Sequence, residues 1–320
     1  MPLPPDATLA DAGEFGLIAE ITRAFEQGDH VLVGPGDDAA VLRVRTGHVV
    51  VSTDLMVEGR HFRRDWASAS DVGHRAAAQN LSDVNAMGGR AMSLTVGLAA
   101  PADLPVQWAL DFARGFADEC AQVGASVVGG DLTRASEIVI AVTVLGACTE
   151  APVLRSGAEP GDVLAICGRQ GWAAGGLAVL GRGFRSPRVL VEAYRRPEPP
   201  YDAGQVAAAA GATAMIDISD GLLADAGHVA EGSGVAIDVH AAAFEVPEPL
   251  HAVAAATGAD PLSFILGGGD DHALLATFPD VASVPEGWAV IGAVAEAGAD
   301  GPRVTVDGAV YEGTTGWVHF

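Results

Sequence analysis

The stretch Gly34–Phe62 reads GPGDDAAVLRVRTGHVVVSTDLMVEGRHF. A glycine-rich turn carries the paired carboxylates Asp37–Asp38, and the β-branched run Val49–Val51 leads directly into the polar triplet Ser52–Asp54. Consecutive valines favour a buried strand. Carboxylate and hydroxyl oxygens at a strand end, beside glycines that admit close approach, suit a hard cation. Two ordinary turns remain the alternative for this stretch taken alone, because Gly, Asp and Ser are also turn formers.

Composition sets broad limits on the protein. At 320 residues the chain is long for one domain and comfortable for two, and 49% hydrophobic residues can build a full core. The net charge of -23 argues against nucleic acid and anionic membrane surfaces as partners, since both need basic patches. Nucleotides are still possible ligands, because Mg²⁺ can bridge their phosphates to acidic residues.

The sequence contains no lysine, so all 18 basic residues are arginine. This excludes a Walker-type phosphate loop and a protein-kinase fold, which place a lysine on the nucleotide phosphates. It also excludes Schiff-base chemistry, including that of pyridoxal phosphate. Any phosphate binding must therefore use metal ions, arginine, backbone amides and helix ends.

The sequence also indicates a cellular compartment. Cys120, Cys148 and Cys167 are scattered in apolar surroundings without a CxxC pair, so we expect neither a zinc site nor a structural disulfide. The first residues, MPLPPDATLADAGEF, have no basic head and no apolar run, which argues against a signal peptide. No segment resembles a membrane span. We expect a cytoplasmic protein.

Hydrophobic periodicity predicts alternating helices and strands. We expect helices over residues 14–27, 70–88, 105–123, 173–180 and 222–230, and strands over 92–98, 125–128, 138–145, 163–167 and 215–216. Residues 181–200, with several Arg and Pro, predict a surface connection. Pro, Gly and charged residues cluster over 149–161, which gives domains 1–149 and 150–320.

Acidic residues recur beside glycines throughout the chain, at positions where we expect an apolar strand to end or a helix to begin. They are Asp37, Asp38, Asp54, Asp83, Asp131, Asp217, Asp220, Asp270 and Asp271. Each alone could be a turn or capping residue. If several converge, cations are required, because like charges ~4 Å apart repel by roughly 4 kcal/mol at an effective dielectric near 20. Oxygen ligands without Cys or His favour Mg²⁺, Mn²⁺ or Ca²⁺, and the absence of an EF-hand pattern disfavours calcium sensing.

Eight motifs occur in an order that resembles the thiamine-monophosphate kinase family. They are GEFGLI (13–18), GPGDDAAVL (34–42), STDLMVEGRHF (52–62), NLSDVNAMGG (80–89), GGDLTR (129–134), RSGAEPGD (155–162), IDISDGL (216–222) and GGGDDHALL (267–275). The resemblance spans nearly the whole chain, and the motifs are specific as a set. The family shares its superfamily with aminoimidazole ribonucleotide synthetase and selenophosphate synthetase.

The resemblance implies a two-domain α/β (α+β) fold like that of aminoimidazole ribonucleotide synthetase, with a mixed or antiparallel sheet covered by helices in each domain. The N-terminal domain would bind metal and nucleotide and form a homodimer through its sheet, and the C-terminal domain would complete the active site. The implied reaction is ATP-dependent phosphorylation of thiamine monophosphate to thiamine diphosphate with several Mg²⁺ ions. It needs no general base, because the acceptor is an ionised phosphate oxygen.

The resemblance also assigns roles to individual residues. Eight residues would hold the metal ions: Asp38, Ser52, Thr53, Asp54, Asp83, Asp131, Asp217 and Asp220. Gly130, Arg155 and Ser219 would contact ATP. His61, Asp270 and Trp317 would contact thiamine monophosphate.

One motif departs from the family pattern. The family usually has Glu-Asp-Tyr where this chain has Asp270-Asp271-His272. Two alternatives therefore stay open: a sister enzyme of the same superfamily with another substrate, and a nucleotide-binding homologue without turnover. Among sister enzymes, selenophosphate synthetase is disfavoured because its reactive Cys and Lys are missing near the N-terminus. The hydrogenase-maturation relative is disfavoured because its terminal cysteine is missing.

Overall fold

The computed structural model describes residues 7–12, 14–33, 41–43 and 47–317. The chain divides into two compact units. Unit 1 takes Met1–Val84 and Arg90–Glu150, and unit 2 takes Asn85–Gly89 and Ala151–Phe320. The two larger sheets and their covering helices confirm the α/β class predicted from the sequence.

The helices are α1 (Leu9–Ala12), α2 (Glu14–Ile21), α3 (Ala69–Ala86), α4 (Val106–Val123), α5 (Trp172–Gly181), α6 (Arg188–Arg195), α7 (Ala203–Ala209), α8 (Leu222–Ser233), α9 (Glu248–Thr257) and α10 (Pro261–Leu266). The strands are β1 (Val31–Val33), β2 (Val41–Leu42), β3 (His48–Val57), β4 (Arg90–Ala100), β5 (Ser126–Arg134), β6 (Val139–Cys148), β7 (Val163–Cys167), β8 (Ala214–Asp217), β9 (Val235–Val239), β10 (Leu274–Phe278), β11 (Ala289–Glu296) and β12 (Arg303–Val306). Within the described ranges, no helix is both long and apolar enough to cross a bilayer.

Unit 1 contains a four-stranded sheet in the order β3-β6-β4-β5. The β3/β6 and β6/β4 pairs are antiparallel, whereas β4 and β5 run parallel. Strand β6 alternates buried and half-buried residues along its whole length, as expected for a sheet with one packed face. Helix α3 lies on the packed face, where Ser52 of β3 bonds to Asp83 of the helix.

The sequence predicted a buried strand that ends in the polar triplet Ser52–Asp54, and that prediction is wrong in two respects. Strand β3 continues through the polar triplet to Val57. It is also an edge strand with an open face, on which Val49, Val51 and Leu55 are 51%, 67% and 56% exposed. Valines alone report β propensity and not whether both faces are covered.

Unit 2 contains a six-stranded sheet in the order β12-β9-β11-β7-β10-β8. All pairs are antiparallel except β9 with β12. One face packs Ile166, Ile216 and Leu275 with residues of α8, and the other packs Met215 and Phe278 with residues of α7. Because both faces are covered, the central strands β7 and β10 and the edge strand β8 are nearly continuous runs of apolar residues.

Three other local predictions differ from the structure. The strand predicted over 125–128 continues as β5 through the glycines to Arg134. The predicted surface connection 181–200 contains α6, which buries Leu190, Val191 and Tyr194. The apolar residues before GGGDD form helix α10, so Asp270 and Asp271 precede a strand and do not follow one. In each case packing against neighbouring elements decides the local structure.

Candidate functional site

In unit 2 the candidate site begins at the end of β8. Asp217 is the last residue of the strand, and a short turn, Ser219–Gly221, connects it to α8. Asp217 is buried, Asp220 is half-buried and Ser219 is exposed. An apolar strand thus delivers two carboxylates and a hydroxyl to the start of a helix, where backbone amides and the helix dipole favour anions.

Two other predicted segments bond to this turn. The amide of Asp270 donates to the carbonyl of Ser219 at 3.0 Å, and the amide of Trp317 donates to the carbonyl of Asp220 at 3.0 Å. The structure therefore brings together five residues from three motifs that are far apart in sequence: Asp217, Ser219, Asp220, Asp270 and Trp317. These five residues comprise one predicted ATP contact, two predicted metal ligands and two predicted substrate contacts.

The glycines before Asp270 allow this close approach. A Cβ atom on Gly269 would lie 2.1 Å from the carbonyl oxygen of Ser219, and one on Gly267 would lie 2.1 Å from that of Thr314. Side chains at these positions would clash with backbone, which cannot move aside as a flexible side chain can. The Gly267–Ala273 segment is therefore packed directly against the turn and against the segment that leads to Trp317.

His272 contacts a predicted metal ligand. Its Nδ1 donates to Oδ2 of Asp217 at 3.0 Å, and both side chains are buried. Asp270 and His272 adopt φ values of 66° and 54°, in the left-handed region that few residues other than glycine occupy. The sequence marked His272 as a departure from the family pattern but did not predict that it would contact Asp217.

Asp271 has a different environment from its neighbour Asp270. Its carboxylate is buried and accepts a hydrogen bond from the amide of Ala173, in the first turn of α5, at 3.0 Å. Burial raises the pKa of Asp271 to about 7, although the Ala173 amide and the nearby Arg169 act in the opposite direction. Asp271 thus fixes its loop to α5, and the adjacent acids have separate roles.

Asp225 is a functional candidate that the sequence analysis missed. Its Oδ2 accepts hydrogen bonds from the amides of Ser219, Asp220 and Gly221 at 3.0, 3.1 and 3.0 Å. Burial raises its pKa to about 7, and the charges of Asp217 and Asp220 add to this, while the amide bonds lower it. An acid in the first turn after Ser-Asp-Gly was a usable signal, since carboxylates cap helix starts.

His228 was also missed. Asp220, Asp225 and His228 each offer a ligand atom within 4.8 Å of the others, the one such group of three among the described residues. The signal was its position three residues after Asp225 on α8, which places both side chains on one side of the helix.

Unit 1 brings together another part of the predicted set. Ser52 donates from Oγ to Oδ2 of Asp83 at 2.6 Å, which fixes their positions on the packed face of the sheet. Asp54, two residues along β3, lies on the same face because side chains alternate along a strand. Thr53 lies on the open face, where its hydroxyl pairs with that of Thr143 at 2.8 Å.

Asp131 and Gly130 lie on the opposite edge of this sheet, on β5. Two strands separate β5 from β3, so at about 4.8 Å per strand the two edges are roughly 14 Å apart. A Cβ atom on Gly130 would lie 2.1 Å from the carbonyl oxygen of Val96, which explains the glycine. One copy of unit 1 therefore does not place Asp131 beside Asp54 and Asp83.

The remaining predicted residues lie in separate places. In unit 1, Nδ1 of His61 accepts from the amide of Val57 at 3.0 Å, so the proton of the neutral ring is on Nε2. In unit 2, the carbonyl of exposed Arg155 accepts from Ser233, the last residue of α8. That helix has 12 residues, so Arg155 is about 18 Å from the turn at its other end. Asp37 and Asp38 lie outside the described residues.

The donor atoms of both clusters fit a hard divalent cation. Ser52, Asp54 and Asp83 in unit 1, and Asp217 and Asp220 in unit 2, offer carboxylate and hydroxyl oxygens. No cysteine joins either set, so Mg²⁺ or Mn²⁺ fits better than a softer metal.

Comparison with known proteins adds independent findings. A family model described as AIR synthase related protein, N-terminal domain, matches residues 36–148. The thiamine-monophosphate kinase of Mycobacterium tuberculosis (strain CDC 1551 / Oshkosh) is 47% identical over 316 residues, which cover 98% of this chain and 93% of the relative.

Two solved structures are also similar along nearly the whole chain. The thiamine-monophosphate kinase from Stenotrophomonas maltophilia K279a has a TM-score of 0.80 and 31% identity, and the match covers 92% of this chain and 96% of that one. AaThiL complexed with AMPPCP and TMP has a TM-score of 0.79 and 30% identity, and the match covers 98% and 99%.

Proposed function

Because the chain belongs to the thiamine-monophosphate kinase family, we propose that it transfers the γ-phosphoryl group of ATP to the phosphate of thiamine monophosphate. The products are thiamine diphosphate and ADP. One observation carries the proposal for this chain's own residues. The turn Ser219–Gly221, the loop with Asp270 and the segment with Trp317 form one cluster in unit 2. A similar protein has been solved with AMPPCP and TMP.

The chemistry suits this protein. The acceptor phosphate is already ionised near neutral pH, so the transfer requires no general base and depends on position and charge. The main difficulty is the repulsion between two anions in a chain that has no lysine. Mg²⁺, when bound, would neutralise phosphate charge and favour in-line transfer. The protein supplies carboxylates and hydroxyls that hold such ions, and backbone amides at the start of α8.

We keep the predicted roles of individual residues as part of this proposal. The Mg²⁺ ligands are Asp38, Ser52, Thr53, Asp54, Asp83, Asp131, Asp217 and Asp220. ATP contacts Gly130, Arg155 and Ser219, and thiamine monophosphate contacts His61, Asp270 and Trp317. The side chain of Thr53 lies on the other face from Asp54, so Thr53 would bind through its carbonyl oxygen. Arg155 would meet a part of ATP remote from Ser219.

We also propose a cytoplasmic homodimer that forms through unit 1. Among the described strands, none pairs with the outer edge of β3. This strand also exposes Val49, Val51 and Leu55, an arrangement that favours association with another sheet. Asp131 lies on the far edge of the same sheet, remote from Asp54 in one copy. A second copy beside the sheet offers a way to supply the missing carboxylate.

Product analysis with purified protein, ATP, Mg²⁺ and thiamine monophosphate tests the function. We expect thiamine diphosphate and ADP in equal amounts, and no product when EDTA removes the metal. Nucleotide binding without product would favour the homologue without turnover. ADP formation with another phosphate acceptor, but not with thiamine monophosphate, would favour the sister enzyme.

A further inference from the structure

We propose that Asp225 is a positioning residue that fixes the backbone of the turn Ser219–Gly221. Through this turn it would set the metal affinity of Asp220 and the nucleotide contact of Ser219. This inference rests on the proposed function for the roles of Ser219 and Asp220. Its structural part, the fixed turn, depends only on the contacts of Asp225.

The first step is the hydrogen bonding of the turn. Three consecutive amides converge on a single oxygen, Oδ2 of Asp225, at 3.0–3.1 Å. Without this acceptor, three N–H groups beside a buried helix start would lose their partner in the protein, and the segment could adopt other conformations. One carboxylate therefore determines the shape of the whole turn.

The second step is the rigidity of Asp225 itself. Its own amide donates to the carbonyl of Gly221 at 2.9 Å, so it lies in the first turn of α8. The residue is 2% exposed and is surrounded by the core of unit 2. Because the helix and the surrounding packing fix the position of this carboxylate, the turn must adopt the conformation that lets its amides bind it.

The third step is that the carbonyls of the turn are bound from the other side. Asp270 donates to the carbonyl of Ser219, and Trp317 donates to that of Asp220. The side chain of Asp225 thus binds the three amides of the turn, whereas other segments bind the carbonyls of Ser219 and Asp220. Loss of Asp225 would release the amide side, while the carbonyl side kept its bonds. Partners that orient a ligand in this way typically change metal affinity by 10–100-fold.

Hydrogen–deuterium exchange of a peptide that spans residues 217–223, together with binding of Mg²⁺·AMPPCP, tests the inference. In Asp225→Ala we expect about tenfold faster exchange of the three amides and about 10–100-fold weaker binding of Mg²⁺·AMPPCP. Asp225→Asn, whose amide oxygen can accept the same bonds, should restore much of both. If Asp225→Ala does not fold, the same two measurements are made on Asp225→Asn.

Asp162 provides a matched control. It is a buried aspartate that holds a turn through the amide of Glu159 at 2.9 Å and the hydroxyl of Thr213 at 2.6 Å. It precedes β7, whereas Asp217 aligns through β10 with the other end of that strand. Asp162→Asn should therefore destabilise unit 2 without a change in exchange at 219–221 or in nucleotide binding.

Three results would each overturn the inference. Unchanged exchange in Asp225→Ala would show that other contacts shape the turn, and weaker binding with unchanged exchange would identify Asp225 as a direct ligand. Faster exchange with unchanged Mg²⁺·AMPPCP affinity would equally remove its link to the site. Failure of the wild-type protein to form thiamine diphosphate would count against the proposed function, whereas the exchange measurement needs no substrate.

Discussion

Nδ1 of His272 lies 3.0 Å from Oδ2 of Asp217, and both side chains are buried. The imidazole bonds to one oxygen of a carboxylate that we propose as a Mg²⁺ ligand, and this contact helps to orient the carboxylate. This histidine belongs to the motif in which the sequence departs from the expected family pattern, and the structure shows that it contacts Asp217. The departure from the family motif therefore concerns the orientation of a proposed metal ligand.

We predict that His272→Leu destabilises the protein by about 1–3 kcal/mol, because a buried carboxylate loses its hydrogen-bond donor. His272→Asn should be much milder, since its amide nitrogen takes the place of Nδ1 and asparagine tolerates positive φ. Urea unfolding measures both, and Mg²⁺ titration should show a weaker apparent affinity for the leucine variant. Equal unfolding free energies for the two variants would show that the contact contributes nothing.

The buried carboxyl of Asp271 predicts a pH dependence of stability. Its pKa in the folded protein is raised to about 7, above the ordinary aspartate value of 3.8. The group therefore favours folding fully below pH 3.8, and this contribution is lost as the pH rises through 7. Asp271→Asn stays neutral, so its unfolding free energy should increase relative to wild type from pH 4 to 7, by up to about 4 kcal/mol.

Urea unfolding at several pH values between 4 and 8 measures this difference. Asp280→Asn is the control, because bonds from Ser283 lower the pKa of exposed Asp280 and keep it ionised throughout this range. Its difference from wild type should not change with pH. A flat difference for Asp271→Asn would contradict a raised pKa.

The two faces of β3 predict opposite outcomes for adjacent residues. Asp54→Asn should reduce kinase activity and Mg²⁺ affinity by about a hundredfold or more, since it removes a ligand charge on the face of Asp83. Thr53→Val should keep activity near wild type, because its hydroxyl lies on the open face with Thr143. Steady-state kinetics with varied Mg²⁺ measures both. Comparable losses in both variants would contradict the assignment of faces.

The proposed dimer predicts a charge-sensitive surface on unit 1. Wild-type protein should have twice the 32.4 kDa mass of one chain by light scattering. Val51→Glu should shift the mass toward a monomer, because it places a charge on the exposed face of β3. Val310→Glu, at a residue that is 75% exposed in unit 2, is the control and should remain dimeric. A monomeric wild-type protein would end the dimer proposal.

Local sequence patterns correctly predicted those helices and strands whose apolar residues pack against the core along their whole length. The predicted strand 163–167 coincides with β7, and the helix predicted over 105–123 is α4 within one residue. These elements combine a clear apolar period with glycine or proline at their ends, so local sequence and tertiary packing agree. The convergence of Ser219, Asp270 and Trp317 could not be read in this way, since it depends on strand order in unit 2.

The sequence could not indicate how exposed a strand would be or how far apart two predicted site residues would lie. Val49–Val51 has the composition of a buried strand, yet its sheet leaves one face open. Arg155 belongs to a motif of the family, but α8 separates it from Ser219. Asp225 resembles any acid at a helix start until the structure shows three amides around one oxygen. Each of these unpredicted features depends on contacts between segments distant in sequence, which local periodicity does not encode.

The contact between Gly269 and Ser219 limits how this enzyme can be redesigned. A side chain at position 269 would clash with the backbone of the turn Ser219–Gly221. A library that randomises Gly267 and Gly269 would therefore yield mostly misfolded variants. Under the proposed assignment of Asp270 to thiamine monophosphate, acceptor specificity has to be changed at Asp270 and its neighbour His272. Because Asp270 and His272 have positive φ angles, substitutions at these two positions should be limited to Asp, Asn, His and Gly.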